Sequence, residues 1–161
     1  MPKRITVGVG DLAVSNDPDA VLVTHSLGSC IGVLVFDPQV KVGGLLHLML
    51  PESSLNLDRA KREPGVFADT GLPVLFRSAY QYGAKKGRMR VVVVGGSQVM
   101  DESGHFNIGK RNYAAVRKIL WRNNVLVDKE DVGGNVNRTV GLLVGSGDMW
   151  LKTNGGAQTP L

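Results

Sequence analysis

Apolar residues fall in short β-branched blocks through the first half of this chain and take up helical spacing only twice, both times later. Residues 5–9 and 21–24 read as short strands, and 31–36 (IGVLVF) and 42–50 (VGGLLHLML) as longer, buried ones. Between the last two stands Asp37-Pro38-Gln39-Val40. Asp suits the first position of a four-residue turn, and Pro, with φ preset, suits the second. That turn makes a hairpin in which residue i pairs with residue 77 − i, so that Cys30 lies directly across from His47. A bulge at Gly43-Gly44 would slip the pairing by one residue and put the two groups on opposite faces.

Residues 51–64 are polar, bounded by prolines and without periodicity, as in a surface loop. A helix is expected over 69–82, with Leu72, Leu75, Phe76 and Ala79 on one face and Gly83 as its C-terminal cap; Pro73 argues for a late start. Residues 89–94 (MRVVVV) form the strongest strand, buried on both faces and suited to a sheet centre. A second helix spans 108–122, with Asn107 as N-cap, a core face of Ile108, Val116, Ile119 and Leu120, and Asn123-Asn124 ending it. Strands at 125–128, 139–144 and 149–152 follow, the last two joined through Gly145-Ser146-Gly147-Asp148, and 154–161 reads as a loose tail. The sum is one α/β or α+β domain over residues 1–153, with sheet packed on sheet or helix.

Composition narrows the function classes. With 161 residues, 43% apolar and 20% charged, the chain is long enough for one substantial core and too apolar for disorder. The basic start is followed by an apolar run too short for a signal peptide or a membrane span, so a cytoplasmic protein with no membrane insertion is expected. One cysteine permits neither an internal disulfide nor a structural zinc site. The net charge of +5, densest at 59–62 and 85–90, favours an acidic partner. No nucleic-acid-binding motif accompanies it, so nucleic acid is not the expected partner.

Gly8-Val9-Gly10-Asp11-Leu12-Ala13 superficially matches a dinucleotide fingerprint, but Ser15-Asn16-Asp17-Pro18 leaves no room for the helix it needs; these glycines shape a turn. His25, His47 and His105 lack ligand spacing, so no metal is expected. Cys30 and His47, taken singly, are a small core residue and a satisfied polar one. Opposed across a hairpin, they make a nucleophile and a base: a thiol of pKa about 8.5 is only a few per cent thiolate at neutral pH, and a facing imidazole can take its proton. Thr24, at the end of the preceding strand, can accept a hydrogen bond from the far side of that imidazole. Both readings stand on spacing alone.

Val23-Thr24-His25-Ser26-Leu27-Gly28-Ser29-Cys30, Asp37-Pro38 and Gly43-Gly44-Leu45-Leu46-His47-Leu48-Met49-Leu50-Pro51 closely resemble the CheD family of chemoreceptor glutamine deamidases. Phe67-Ala68-Asp69-Thr70, Gly95-Gly96, Asn107-Ile108-Gly109-Lys110-Arg111-Asn112 and Asp131-Val132-Gly133-Gly134-Asn135 follow in the family's order. The resemblance implies packed β-sheets with flanking helices, similar to bacterial toxin deamidases. It implies Cys30 as nucleophile, His47 as base and Thr24 as third member of a triad, acting on glutamine side chains of methyl-accepting chemotaxis receptors without a cofactor. In some members it implies a complex with the phosphatase CheC. His25, Ser26 and Pro73 depart from the family's pattern.

On this reading a Cys30 thioester forms and water resolves it; resolution by an amine would instead give transglutamination. The amides of Ser29, Cys30 and Ile31 are the expected oxyanion donors, and Arg59, Lys61 and Arg62, beside the His47 strand, the expected docking contacts. The rival from another class is a non-catalytic adaptor that binds receptors or tunes CheC.

Overall fold

The computed structural model describes residues 2–98 and 107–161. Two five-stranded mixed sheets pack face to face, and helices cover the outer face of one of them, an α+β arrangement. The first sheet has the order β1 (Lys3–Thr6), β3 (Ala20–Leu27), β8 (Arg138–Leu143), β9 (Met149–Thr153), β10 (Thr159–Pro160). The second has the order β2 (Leu12–Ser15), β5 (Val42–Leu48), β4 (Ile31–Asp37), β6 (Arg90–Gly95), β7 (Lys129–Val132). The helices are α1 (Leu57–Arg62), α2 (Ala68–Gln81) and α3 (Ile108–Arg122). Among the described residues no helix is long and apolar enough to cross a membrane.

Strand alternation sets the layers. Along β4, Ile31, Val33 and Val35 pack with Leu72, Leu75, Val116 and Leu120 of the helices. Leu34 and Phe36 face the other way, toward Leu22, Val140 and Leu142 of the first sheet. Every residue of β4 and β5 is therefore buried. This is why both read as continuous apolar runs and not as alternating ones.

The β4–β5 hairpin departs from the expected register. Asp37 pairs with Val42 and Gly32 with His47, so residue i stands opposite 79 − i, two residues from the predicted pairing. The loop is longer than Asp37–Val40 because Asp37 Oδ1 accepts from the Gln39 amide (2.9 Å) and Lys41 turns left-handed (φ 53°) before the strand resumes. No bulge interrupts Gly43-Gly44. Asp37 is fully buried, and burial pushes its carboxyl up. The Lys85 amide, the Arg88 guanidinium and the Gln39 amide outweigh that, so its pKa falls below the usual carboxylate value.

Other expectations shift in smaller ways. The supposed loop at 51–64 contains α1, started by Asn56, whose side chain accepts from the Arg59 amide (3.1 Å). Helix α2 begins five residues ahead of Pro73, which forgoes one helix bond near the N-terminal end, and Gly83 follows its C-cap with φ 95° as expected. Strand β6 is interior, between β4 and β7, while β4 holds the centre. The strand expected at 125–128 starts later, as β7, because Asp128 first locks onto Val91 through its own side chain (2.7 Å) and backbone (2.8 Å). Asn107 stands at the N-cap of α3 in a left-handed conformation, its side-chain oxygen accepting from Gln98 (3.3 Å). Residues 154–161, expected to be loose, return to the sheet through β10, and Leu161 is held by Met149 and Arg90.

Candidate active site

Thr24 comes from the first sheet, His47 from the second, and Cys30 from the turn that crosses between them, all at one end of the sandwich. The β3–β8 ladder shifts register between Thr24 and Leu27, and Ser26 adopts φ 57°. That bulge turns His25 and Ser26 to solvent while Thr24 and Leu27 stay buried. His25 and Ser26 therefore occupy the outer face of this end.

Hydrogen bonds fix the state of His47. The Thr24 hydroxyl donates to the Val7 carbonyl (2.7 Å), which has no proton of its own to offer. Its single proton thus committed, Thr24 Oγ1 accepts from His47 Nδ1 (2.7 Å), so Nδ1 carries the imidazole proton and Nε2 a bare lone pair. The His47 backbone is pinned as well: its carbonyl accepts from Gly10 (2.7 Å) and its amide donates to Asp11 (3.0 Å). The turn read out of Gly8-Val9-Gly10 thus holds the histidine strand. Nε2 is buried and has no hydrogen-bond partner among the described residues. Burial pushes the imidazole pKa down to about 4.

Cys30 is not directly across from His47; Gly32 is. Because the register differs by two residues and not one, Cys30 keeps the predicted face, packing with the inter-sheet cluster one diagonal step from His47. The position opposite the imidazole carries no side chain. No hydrogen bond joins Cys30 to His47 among the described residues. Cys30 is half-buried, and burial raises its thiol pKa, with its own amide pulling weakly the other way. Both shifts favour the uncharged partners, a neutral thiol beside a neutral imidazole.

The turn that carries Cys30 is braced from behind. Ser97 donates its amide to Gly28 (2.8 Å) and Gly96 donates to Cys30 (2.9 Å). Gly95 has φ 109°, and a Cβ there would collide with the Cys30 carbonyl, so only glycine fits. Ser29 sits in the turn, and Ile31 opens β4 in register with Leu48 and Gly95. Arg59 on α1 pairs with Glu63 (3.0 Å) and touches the Met49 sulfur (3.7 Å), which sets α1 beside the end of the histidine strand; Lys61 and Arg62 are exposed there.

Two residues at this end had no site role in the sequence reading. Asn112, fully buried on α3, donates from Nδ2 to Ser29 (3.0 Å) and Met49 (3.1 Å), tying the turn before Cys30 to the end of the strand that carries His47. Arg138, 5% exposed on β8, donates to Asp131, Gly95, Ser97 and Gly133 at 2.8–3.2 Å. The signal for Asn112 was an amide on the otherwise apolar inner face of a helix. His105 lies outside the described residues.

Residues 49–153 match the family model described as CheD chemotactic sensory transduction. That segment begins just after His47, so Thr24, Cys30 and His47 fall before it. Curated relatives extend over the site. The chain is 51% identical over 152 residues to a protein of Syntrophus aciditrophicus named probable chemoreceptor glutamine deamidase CheD 1, covering 94% of this chain and 95% of that one. It is 46% identical over 153 residues to the probable chemoreceptor glutamine deamidase CheD of Solibacter usitatus, covering 95% and 90%. A solved Neisseria meningitidis protein of the DUF152 family superposes with a TM-score of 0.46 at 13% identity, over 83% of this chain and 63% of that one.

Proposed function

The chain belongs to the CheD family, and from that premise we propose that it is a cysteine-dependent deamidase that converts glutamine side chains of chemoreceptors to glutamate. The observation that carries the reading is the His47 ring: anchored at Nδ1 by Thr24, buried, and left with an unpartnered Nε2 on the face that Cys30 shares. A ring fixed at one nitrogen with the lone pair of the other free is what a general base beside a thiol requires.

The chemistry follows from the neutral pair. Cys30 Sγ attacks the carboxamide carbon as its proton passes to His47 Nε2, so the thiolate forms during attack and is not stored beforehand. The imidazolium is transient and stays aligned through its Nδ1–H bond to Thr24. It returns the proton to the nitrogen that departs as ammonia when the C–N bond breaks, leaving a thioester on Cys30. Water then adds to the thioester carbon with its proton going to Nε2. The C–S bond breaks, the thiol is reprotonated and glutamate leaves. The turn amides of Ser29 and Cys30 are better oxyanion donors than that of Ile31, which sits in a strand paired on both sides. Arg59, Lys61 and Arg62 on α1 support docking of a protein substrate at this end of the sheets.

Ammonia release from a chemoreceptor cytoplasmic fragment, with the matching glutamine-to-glutamate mass change in its peptides, tests the proposal. The wild type should give both and Cys30→Ala neither. Equal release by Cys30→Ala would overturn the mechanism.

A further inference from the structure

Helix α3 has a face that the site does not use. Its buried residues Gly109, Asn112, Val116 and Leu120 recur at helical spacing. The opposite stripe, Lys110, Arg111, Ala114, Arg117, Lys118, Trp121 and Arg122, is exposed. Five of these are cations, and α3 contains no acid. Of the 19 Lys and Arg in the chain, the other 14 are matched by 14 Asp and Glu, so this one helix face holds the whole formal charge of +5. Among the described residues none of the five takes part in a salt bridge, and Glu130, on the flank of the helix, is taken by the Tyr113 hydroxyl (2.7 Å). Trp121 is 79% exposed and Leu126, just past the helix, 83%.

The stripe begins at the active site. Lys110 and Arg111 directly precede Asn112, which holds Ser29 and Met49, and Gly109 packs so tightly on the end of β6 that a Cβ would strike the Gly96 and Ser97 carbonyls. From there the cations run outward from Lys110 to Arg122, twelve residue steps or about 18 Å at 1.5 Å per residue. Unpaired cations on one rigid helix, ending in an exposed indole, make a linear positive ridge with an aromatic anchor. By contrast, Asp58 and Glu63 interrupt the cations of α1, and Arg59 is paired.

We propose that this face of α3 is the docking surface for an acidic α-helical stretch of the protein substrate, which lies along the ridge and presents its glutamine at the Cys30 end. The inference rests on the deamidase reading. Carboxylates repeating on one side of a partner helix match cations repeating at seven- and eight-residue steps (Lys110, Arg117, Lys118), and Trp121 supplies the apolar contact at the far end.

Two readouts on the full chain test it. Binding of the chemoreceptor cytoplasmic fragment to the Cys30→Ala protein, which does not turn over, is measured at low and high salt, alongside KM and kcat in the active background. The change Lys118→Glu/Trp121→Ala/Arg122→Glu should weaken binding and raise KM by about tenfold or more, flatten the salt dependence and leave kcat within about twofold. The milder Lys118→Ala/Arg122→Ala should fall between, and Arg4→Glu/Lys85→Glu, reversing two exposed cations elsewhere, should bind as the parent does. Unchanged binding in the α3 variants, equal loss in the control, or loss only of binding to anionic lipid vesicles would overturn the proposal, as would a parent protein that does not bind the fragment. A parent that binds through α3 but releases no ammonia from the fragment would support the surface and end the deamidase reading.

Discussion

Thr24 shows how little chemistry a third residue needs to contribute when it sits in the right place. It adds no charge; its one proton goes to Val7, and that alone decides which nitrogen of His47 keeps a free lone pair. The pH dependence follows. An ordinary imidazole titrates near pH 6.5, but His47 is held to about 4, so Nε2 stays unprotonated through the mildly acidic range. As pH falls below about 4 the ring takes a proton and ceases to be a base. The kcat/KM profile should therefore stay level from neutral pH down to about 5 and fall only below it, and an acid limb centred near 6.5 would contradict this environment. Thr24→Val should lower kcat roughly ten- to hundredfold, the worth of one or two hydrogen bonds, because Nδ1–H loses its acceptor in a buried site. Full activity in that variant would remove Thr24 as the orienting group.

Among the elements, the hairpin and the bracing of its far end carry most of the site. Arg138 reaches from β8 of one sheet to Gly95, Ser97, Gly133 and Asp131 at the edge of the other, and Ser97 in turn holds the turn that bears Cys30. Arg138→Ala should destabilise the fold by roughly 2–4 kcal/mol, since it removes the ion pair with Asp131 and three further hydrogen bonds of a buried guanidinium, and chemical denaturation of the variant measures it. A loss under about 1 kcal/mol would mean that the network does not join the sheets. The hairpin also marks what was legible in the sequence. Asp37-Pro38 located the turn, but Lys41 in a left-handed conformation lengthened the loop by two residues, and no pattern in Lys-Val-Gly-Gly announces that. The error was even-numbered, so Cys30 and His47 remained on one face though not directly opposed. Helix α3 was legible to the residue because its apolar spacing and its Asn107 and Asn123 boundaries agree. Helix α1 was not: a turn and a half has no period to detect, and Asn56 was its only signal.

Taken whole, the molecule brings Thr24, Cys30 and His47 together where two sheets meet, so neither sheet alone contains the proposed site. Thr24 and His47 are 23 residues apart and belong to different sheets, and the bond between them depends on how those sheets pack. Sequence spacing nominated Thr24 from its place at a strand end, but the commitment of its proton to Val7 depends on β1 running parallel beside β3, a long-range pairing. Asn112 and Arg138 escaped the sequence reading for the same reason, since each ties together segments that are distant in sequence. On the proposed mechanism Cys30 and His47 work as one unit even though no hydrogen bond links them at rest. Turnover of the receptor fragment by Cys30→Ala, His47→Ala and the double variant tests this directly. Each single change should remove nearly all turnover and the double should be no worse than either, whereas near-wild-type turnover by His47→Ala, or losses that add in the double, would contradict the shared role.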